Sequence, residues 1–266
     1  MGKFSGKTII VTGSGKQKGL GQGILQAFAD EGGNCVVSDL AIDAEAEAVA
    51  EELRARGAKV ATIACDVSKA SDCAALVAEA IKAFGSVDVF VNNAGIGFKM
   101  KALLDVDVEN EWDQVIAVNL SGAFYGTQAA AHAMVEAGNG GRIINIASQA
   151  AKTGFPHLAA YVSSKHGMVG LTRASAVELG SHGITVNAVC PNHVTTGLGA
   201  MQNEYFSKLL GFDTVEDYLA NMSAKNPMGR PGLPSDTAAA CLWLASDEAF
   251  YVTGEALNVS GGEEMH

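Results

Sequence analysis

Thr8-Ile9-Ile10-Val11-Thr12-Gly13-Ser14-Gly15-Lys16-Gln17-Lys18-Gly19-Leu20-Gly21 is the stretch whose reading decides the fold. Its first five residues are a β-branched, apolar run, too short for a helix and suited to a buried strand. Gly13 to Gly23 then hold five glycines, which read as a turn opening a helix from about Leu20 to Glu31. Strand, glycine turn, helix is the arrangement that aims backbone N–H groups and a helix N-terminus at a pyrophosphate, here from Gly13, Gly19, Leu20 and Gly21. A glycine cluster alone also makes an ordinary tight turn. The discriminating residue is Asp39, 18 residues past Gly21 at the end of a second strand, Asn34 to Asp39. A carboxylate there can accept both ribose hydroxyls of NAD and repels a 2′-phosphate. Lys16 and Lys18 argue the other way, because a lysine in the turn can reach that phosphate. The carboxylate acts directly at the ribose, so NAD is expected and NADP is the alternative.

The alternation continues outward. Helices are predicted over Asp43 to Arg56, Lys69 to Phe84, about Glu109 to Ala137, and from Ala159 to about Leu179. Strands are predicted over Val60 to Cys65, Val87 to Val91, Arg142 to Ala147 and Ile184 to Cys190. Strict strand–helix alternation implies an α/β, doubly wound parallel sheet covered on both faces, a Rossmann-type single domain spanning residues 1–266. From Pro191 to Pro234 the pattern loosens, with helices expected near Asn203 to Leu210 and Val215 to Met222. An irregular insertion of this length in a compact domain is expected to act as a substrate lid. A helix from Ser235 to Ala245 and a strand from Ala256 to Val259 follow. Asp66, ahead of Val67 at the end of the third strand, has two open readings: it binds the adenine edge, or it caps the helix that follows.

Composition excludes several classes. The 266 residues carry a net charge of −11 and 48% apolar residues, with no basic patch for nucleic acid. No apolar segment reaches 18 residues, so no membrane span is expected. The five cysteines, Cys35, Cys65, Cys73, Cys190 and Cys241, are scattered and without metal-ligand spacing, which fits buried free thiols in a reducing, cytoplasmic setting. No metal site is expected. Met1-Gly2 opens like a myristoylation signal, but Gly6 stands where Ser or Thr is needed.

Chemistry concentrates between Ser148 and Lys165. Tyr161 and Lys165 are four residues apart, so on a helix they share one face. A phenol near pKa ~10 needs roughly 4 kcal/mol of preferential phenolate stabilisation to act as a base near neutrality. A neighbouring ammonium and a bound cationic nicotinamide are the expected sources.

These motifs resemble the short-chain dehydrogenase/reductase family along almost the whole chain. The glycine turn matches at Thr12, Gly13, Gly19 and Gly21; Asn92-Asn93-Ala94-Gly95 follows the fourth strand; Asn119, Ser148, Tyr161 and Lys165 match the catalytic set. The resemblance implies Tyr161 as general acid/base, Ser148 holding the substrate oxygen, and Lys165 binding the nicotinamide ribose. It further implies Asn119 holding a relay water, Asn93 at the cofactor, and Val194 and Thr196 meeting the carboxamide and phosphates. A homotetramer built through helices at about 109–137 and 158–179 is implied as well. Two departures stand out: five residues separate Gly13 from Gly19 where three are usual, and Asn192 replaces a glycine after the sixth strand. The expected substrate pocket, formed by Ser148, Gln149, Phe155, His157, Asn192 and His193, is polar. This is similar to polyol and acetoin/butanediol dehydrogenases, and a small polar alcohol is expected as substrate. A 3-oxoacyl thioester reductase and a non-catalytic dinucleotide sensor are the competing readings.

Overall fold

The computed structural model describes residues 2–97, 100–194 and 196–265; Met1, quoted in the myristoylation reading above, and Thr195 lie outside them. Seven strands form one sheet in the order β3-β2-β1-β4-β5-β6-β7, with every pairing parallel. They are β1 (Thr8–Thr12), β2 (Asn34–Asp39), β3 (Val60–Ala64), β4 (Val89–Asn92), β5 (Gly141–Ile146), β6 (Ile184–Pro191) and β7 (Ala256–Val259). Strand order reverses between β1 and β4, which opens the crevice where ligands of such sheets bind.

Side-chain alternation along each strand sends successive residues to opposite faces. Ile9 and Val11 of β1 therefore join one buried cluster with Ile24, Leu25 and Phe28 of α1 (Leu20–Asp30), Val49 and Leu53 of α2 (Ala44–Ala55), and more C-terminal residues. Ile10 joins the other, with Leu76 and Val77 of α3 (Ala70–Phe84) and a later helix.

The long helix predicted from Glu109 is interrupted. Asp107 caps its start by accepting from Asn110 N at 2.9 Å. A π-turn at Val108–Trp112, a short α4 (Asp113–Ile116) and a second π-turn at Ala117–Ser121 then precede α5 (Gly122–Ala137). The second π-turn carries Asn119, whose side chain makes the bonds that reward the irregularity. Strand β4 begins two residues later than predicted, because Asp88 turns its carboxylate to Thr8 N (2.9 Å) and Lys7 Nζ (2.9 Å) beside the ladder.

After α6 (Ala159–Leu179) and β6 the chain makes a two-helix excursion, α7 (Gly197–Leu209) and α8 (Val215–Lys225), before α9 (Pro234–Ala245). Helix α7 starts six residues ahead of the predicted Asn203. Thr196 provides an N-cap that offsets the poor helix propensity of the glycines behind it. Helices α7 and α8 pack chiefly on each other.

A candidate dinucleotide-linked active site

The glycine turn is a cradle that side chains would fill. A Cβ on Gly13 would lie 2.7 Å from Ala94 Cα, and one on Gly21 would lie 2.7 Å from both Gly13 O and Asn93 Nδ2. Helix α1 begins at Gly19 with no side-chain cap and no acidic residue in its first turn, so its leading N–H groups are left for an anion. Asn93 braces the turn from β4: its Nδ2 donates to Thr12 O (2.8 Å) and Gly13 O (2.9 Å), while its N–H donates to Thr12 Oγ1. Its side chain therefore shapes the cofactor cradle from behind. Asp39 stands at the end of β2 with Oδ2 accepting from Gly15 N and Oδ1 from Leu40 N, both at 2.9 Å.

Lys16 is not free for a phosphate. Its Nζ lies 3.0 Å from Asp43 and 3.1 Å from Glu45, and these two carboxylates raise its pKa. Lys18 occupies a left-handed backbone conformation and donates its N–H to Gln22 Oε1 at 2.6 Å. Both oxygens of Asp66 are engaged as well. Oδ1 accepts from Ser68 N (3.1 Å) and Oγ (2.6 Å), and Oδ2 pairs with Lys69 (3.1 Å). These bonds, Ser68 foremost, hold its carboxyl below the usual range and make it the organiser of the turn into α3. Val67 beside it is buried against Gly122.

Ser148, Tyr161 and Lys165 meet at the C-terminal ends of β5 and β6. Ser148 follows β5 and accepts from Ala150 N at 3.1 Å, starting the short 3-10 turn that carries Gln149. Tyr161 lies in the first turn of α6. Burial pushes its phenol up, with the neighbouring Ser148 hydroxyl as the one opposing influence. The Lys165 Nζ donates to Ile146 O at 2.7 Å and lies 5.7 Å from the Tyr161 ring centroid. Lys165 is 3% exposed, and desolvation brings its pKa down to about 8. The Asn119 side chain is engaged within the protein. Its Oδ1 accepts from Ile96 N (2.8 Å), and its Nδ2 donates to Ile96 O (2.7 Å) and Ser164 Oγ (3.1 Å). The side chain buckles the loop after β4 onto α6, at the residue just before Lys165.

Sequence reading missed two residues here. A Cβ on Gly97 would lie 2.6 Å from Tyr161 Cδ2, so this glycine is the wall against which the phenol rests. Tyr205 of α7 meets His157, with Nδ1 and Oη 2.6 Å apart. The Gly95-Ile96-Gly97 spelling could have flagged the first, whereas nothing local announces a contact across 48 residues.

Beyond β6 the expected pocket residues divide. Asn192 Nδ2 donates to Ser260 O (3.1 Å) and Glu263 Oε2 (2.9 Å), away from the proposed substrate space and toward the C-terminal tail. His193 keeps a buried Nε2 without a hydrogen bond among the described residues, and burial lowers its pKa against an opposing Glu263 carboxylate. Val194 bridges to Gly232, and Thr196 Oγ1 caps α7 through Gly199 N.

The family model described as enoyl-(acyl carrier protein) reductase matches residues 13–264. The chain is 38% identical over 260 residues to the 3-oxoacyl-(acyl carrier protein) reductase FabG of Staphylococcus aureus, covering 97% of this chain and 98% of that protein. The chain belongs to the short-chain dehydrogenase/reductase family. Another member, the 2,5-dichloro-2,5-cyclohexadiene-1,4-diol dehydrogenase of Sphingobium indicum, is 38% identical over 263 residues, 98% of each chain. Among solved structures, an actinorhodin polyketide ketoreductase with NADPH superposes with a TM-score of 0.91 at 36% identity, covering 98% of both chains. The protein is thus a short-chain oxidoreductase of alcohol and carbonyl groups, in a family that works with NAD(P). The glycine cradle and uncapped α1 described above fit such a dinucleotide.

Proposed function

We propose that this short-chain dehydrogenase/reductase is an NAD-dependent alcohol dehydrogenase of a small polar alcohol: a polyol, a sugar or a vicinal diol. The observation that carries the cofactor choice is the acidic cluster at the end of β2. Asp43 and Glu45 hold Lys16 between them and the Asp39 carboxylate stands on the neighbouring Gly15 N, which leaves a net negative charge where a 2′-phosphate would sit.

A bound nicotinamide supplies the hydride acceptor or donor. The chain's own residues do the rest. Ser148 holds the substrate oxygen; Tyr161, beside it, moves the proton at that oxygen; Lys165 fixes the nicotinamide ribose and, with the cofactor bound, favours the phenolate. Asn119 acts as a positioning residue for the loop facing the cofactor. Residues 191–234 serve as the lid, and the unpartnered His193 Nε2 offers a neutral imidazole to the substrate.

A second reading, reduction of a 3-oxoacyl thioester, has the FabG relative in its favour. It wants cationic surface for an acidic carrier, against a net charge of −11. One panel decides between them: polyols, sugars, diols and 3-oxoacyl thioesters assayed with NAD(H) and NADP(H). Small alcohols with NAD+ should be the best pair, and Tyr161→Phe should lower kcat by about 10²–10⁴-fold. A higher kcat/KM for acyl thioesters with NADPH would establish the second reading instead.

A further inference from the structure

His157 occupies the left-handed backbone region at φ 63°, a conformation that disfavours a residue bearing a Cβ and persists where the surroundings over-determine it. Three contacts do so. Its carbonyl accepts from Lys101 N at 3.1 Å, and Lys101 is itself pinned by the buried Glu111 carboxylate at 2.8 Å. Its Nδ1 and Tyr205 Oη are 2.6 Å apart. The two rings meet edge to face with centroids 5.9 Å apart. His157 thus joins the loop after β4, the start of α6 four residues before Tyr161, and the α7 helix.

That junction matters because, among the named elements, α7 and α8 pack chiefly on each other. At one end the pair is tied down where Asn226 Nδ2 donates to Ser260 O at 2.8 Å, beside the Asn192 bonds to the same tail. At the other end the His157–Tyr205 contact reaches the rim of the Tyr161 site. His157 and Tyr161 there line one pocket together with Gly97 and Glu111.

We infer that His157 and Tyr205 form a latch that fastens the α7–α8 pair over the Tyr161 site, so that both are positioning residues for substrate binding. The inference rests on Tyr161 being the proton-transfer residue. The latch holds the enclosing helices in register with the substrate without touching the cofactor.

The test compares Tyr205→Phe, which deletes one hydroxyl and keeps the ring, with His157→Asn, which tolerates the left-handed backbone, and with the double variant. Amide hydrogen exchange across residues 203–225 of the full chain reads the latch directly. Each single variant should speed exchange about five-fold, the effect of losing one neutral hydrogen bond, and the double should be no faster than either. KM for the best alcohol should rise by a similar factor while kcat does not fall and NAD affinity is unchanged. Wild-type exchange rates, additive effects of the two substitutions, or an unchanged KM would overturn the latch. Activity retained by Tyr161→Phe would instead overturn the catalytic reading, and the exchange rates would still decide the latch.

Discussion

Lys165 sits where the fold would be better off without it. Its pKa falls from 10.5 to about 8 because burial disfavours the ammonium. At pH 7 the charged lysine therefore opposes folding by roughly 3 kcal/mol. Below about pH 8 both folded and unfolded chains carry the proton and the penalty is complete. Between pH 8 and 10.5 the native lysine is neutral while the unfolded one still binds its proton, so the penalty shrinks as pH rises. Lys165→Met should be inactive yet more stable to urea at pH 7, and its advantage should narrow when the titration is repeated at pH 9. A neighbouring position tests geometry rather than charge. Gly97→Ala puts a methyl into the Tyr161 ring. A displacement of about 1 Å in a reacting group costs on the order of 10²-fold in rate, so kcat should drop that far while NAD affinity, read by fluorescence titration, stays put.

At the scale of elements, α5 approaches β4 so closely that Gly126 has no room for a side chain. A Cβ there would overlap Asn92 Oδ1 and come within 2.8 Å of Phe90 Cε1. Asn92 in turn donates to Thr127 Oγ1 (3.0 Å) and Asn145 Oδ1 (2.8 Å), and Asn145 donates to Thr172 Oγ1 (2.8 Å), a buried polar chain linking α5, β4, β5 and α6. Gly126→Ala should cost about 1–3 kcal/mol in denaturant unfolding by overpacking this layer. Elements of this kind separate what was legible in the sequence from what was not. Periodicity and glycine punctuation announced every strand and most helices, since β-branched runs and amphipathic stripes are local signals. The irregularity at Asn119 reads from sequence as no more than a helix kink, because the π-turn's reward is a pair of bonds to Ile96, far away in sequence. Helix α7 was shortened because Gly197 and Gly199 look like loop residues until Thr196 is seen as their cap. Catalytic residues could be named from spacing, but the partners of Lys165, Asn119 and Asn192 depend on packing between elements and carried no local mark.

For the whole molecule, the outward faces of the two longest helices leave apolar side chains in water. Phe124 and Val135 of α5 are 44% and 38% exposed, and Val177 of α6 is 85% exposed. Such residues are ordinary singly and suggestive when they share a face pair. They support a proposal that copies associate through α5 and α6. Sedimentation should give a tetramer for the native protein and smaller species for Val177→Asp, whose carboxylate would be desolvated in the contact. A monomeric native protein would end that proposal.

Asp39 has one consequence that only its backbone partners reveal. The N–H groups of Gly15 and Leu40 converge on its carboxylate, so the side chain is a resident anion in a small nest of donors. It cannot swing aside to admit a second negative group without stranding both. Take the carboxylate away, as in Asp39→Ser, and the vacated donors become a latent phosphate receptor. On the proposed NAD reading, discrimination between the two nicotinamide dinucleotides is a matter of which anion occupies the nest, the protein's own or the ligand's. The Asp39→Ser enzyme should accordingly gain at least about 10-fold in NADPH over NADH efficiency, measured as a ratio of kcat/KM values.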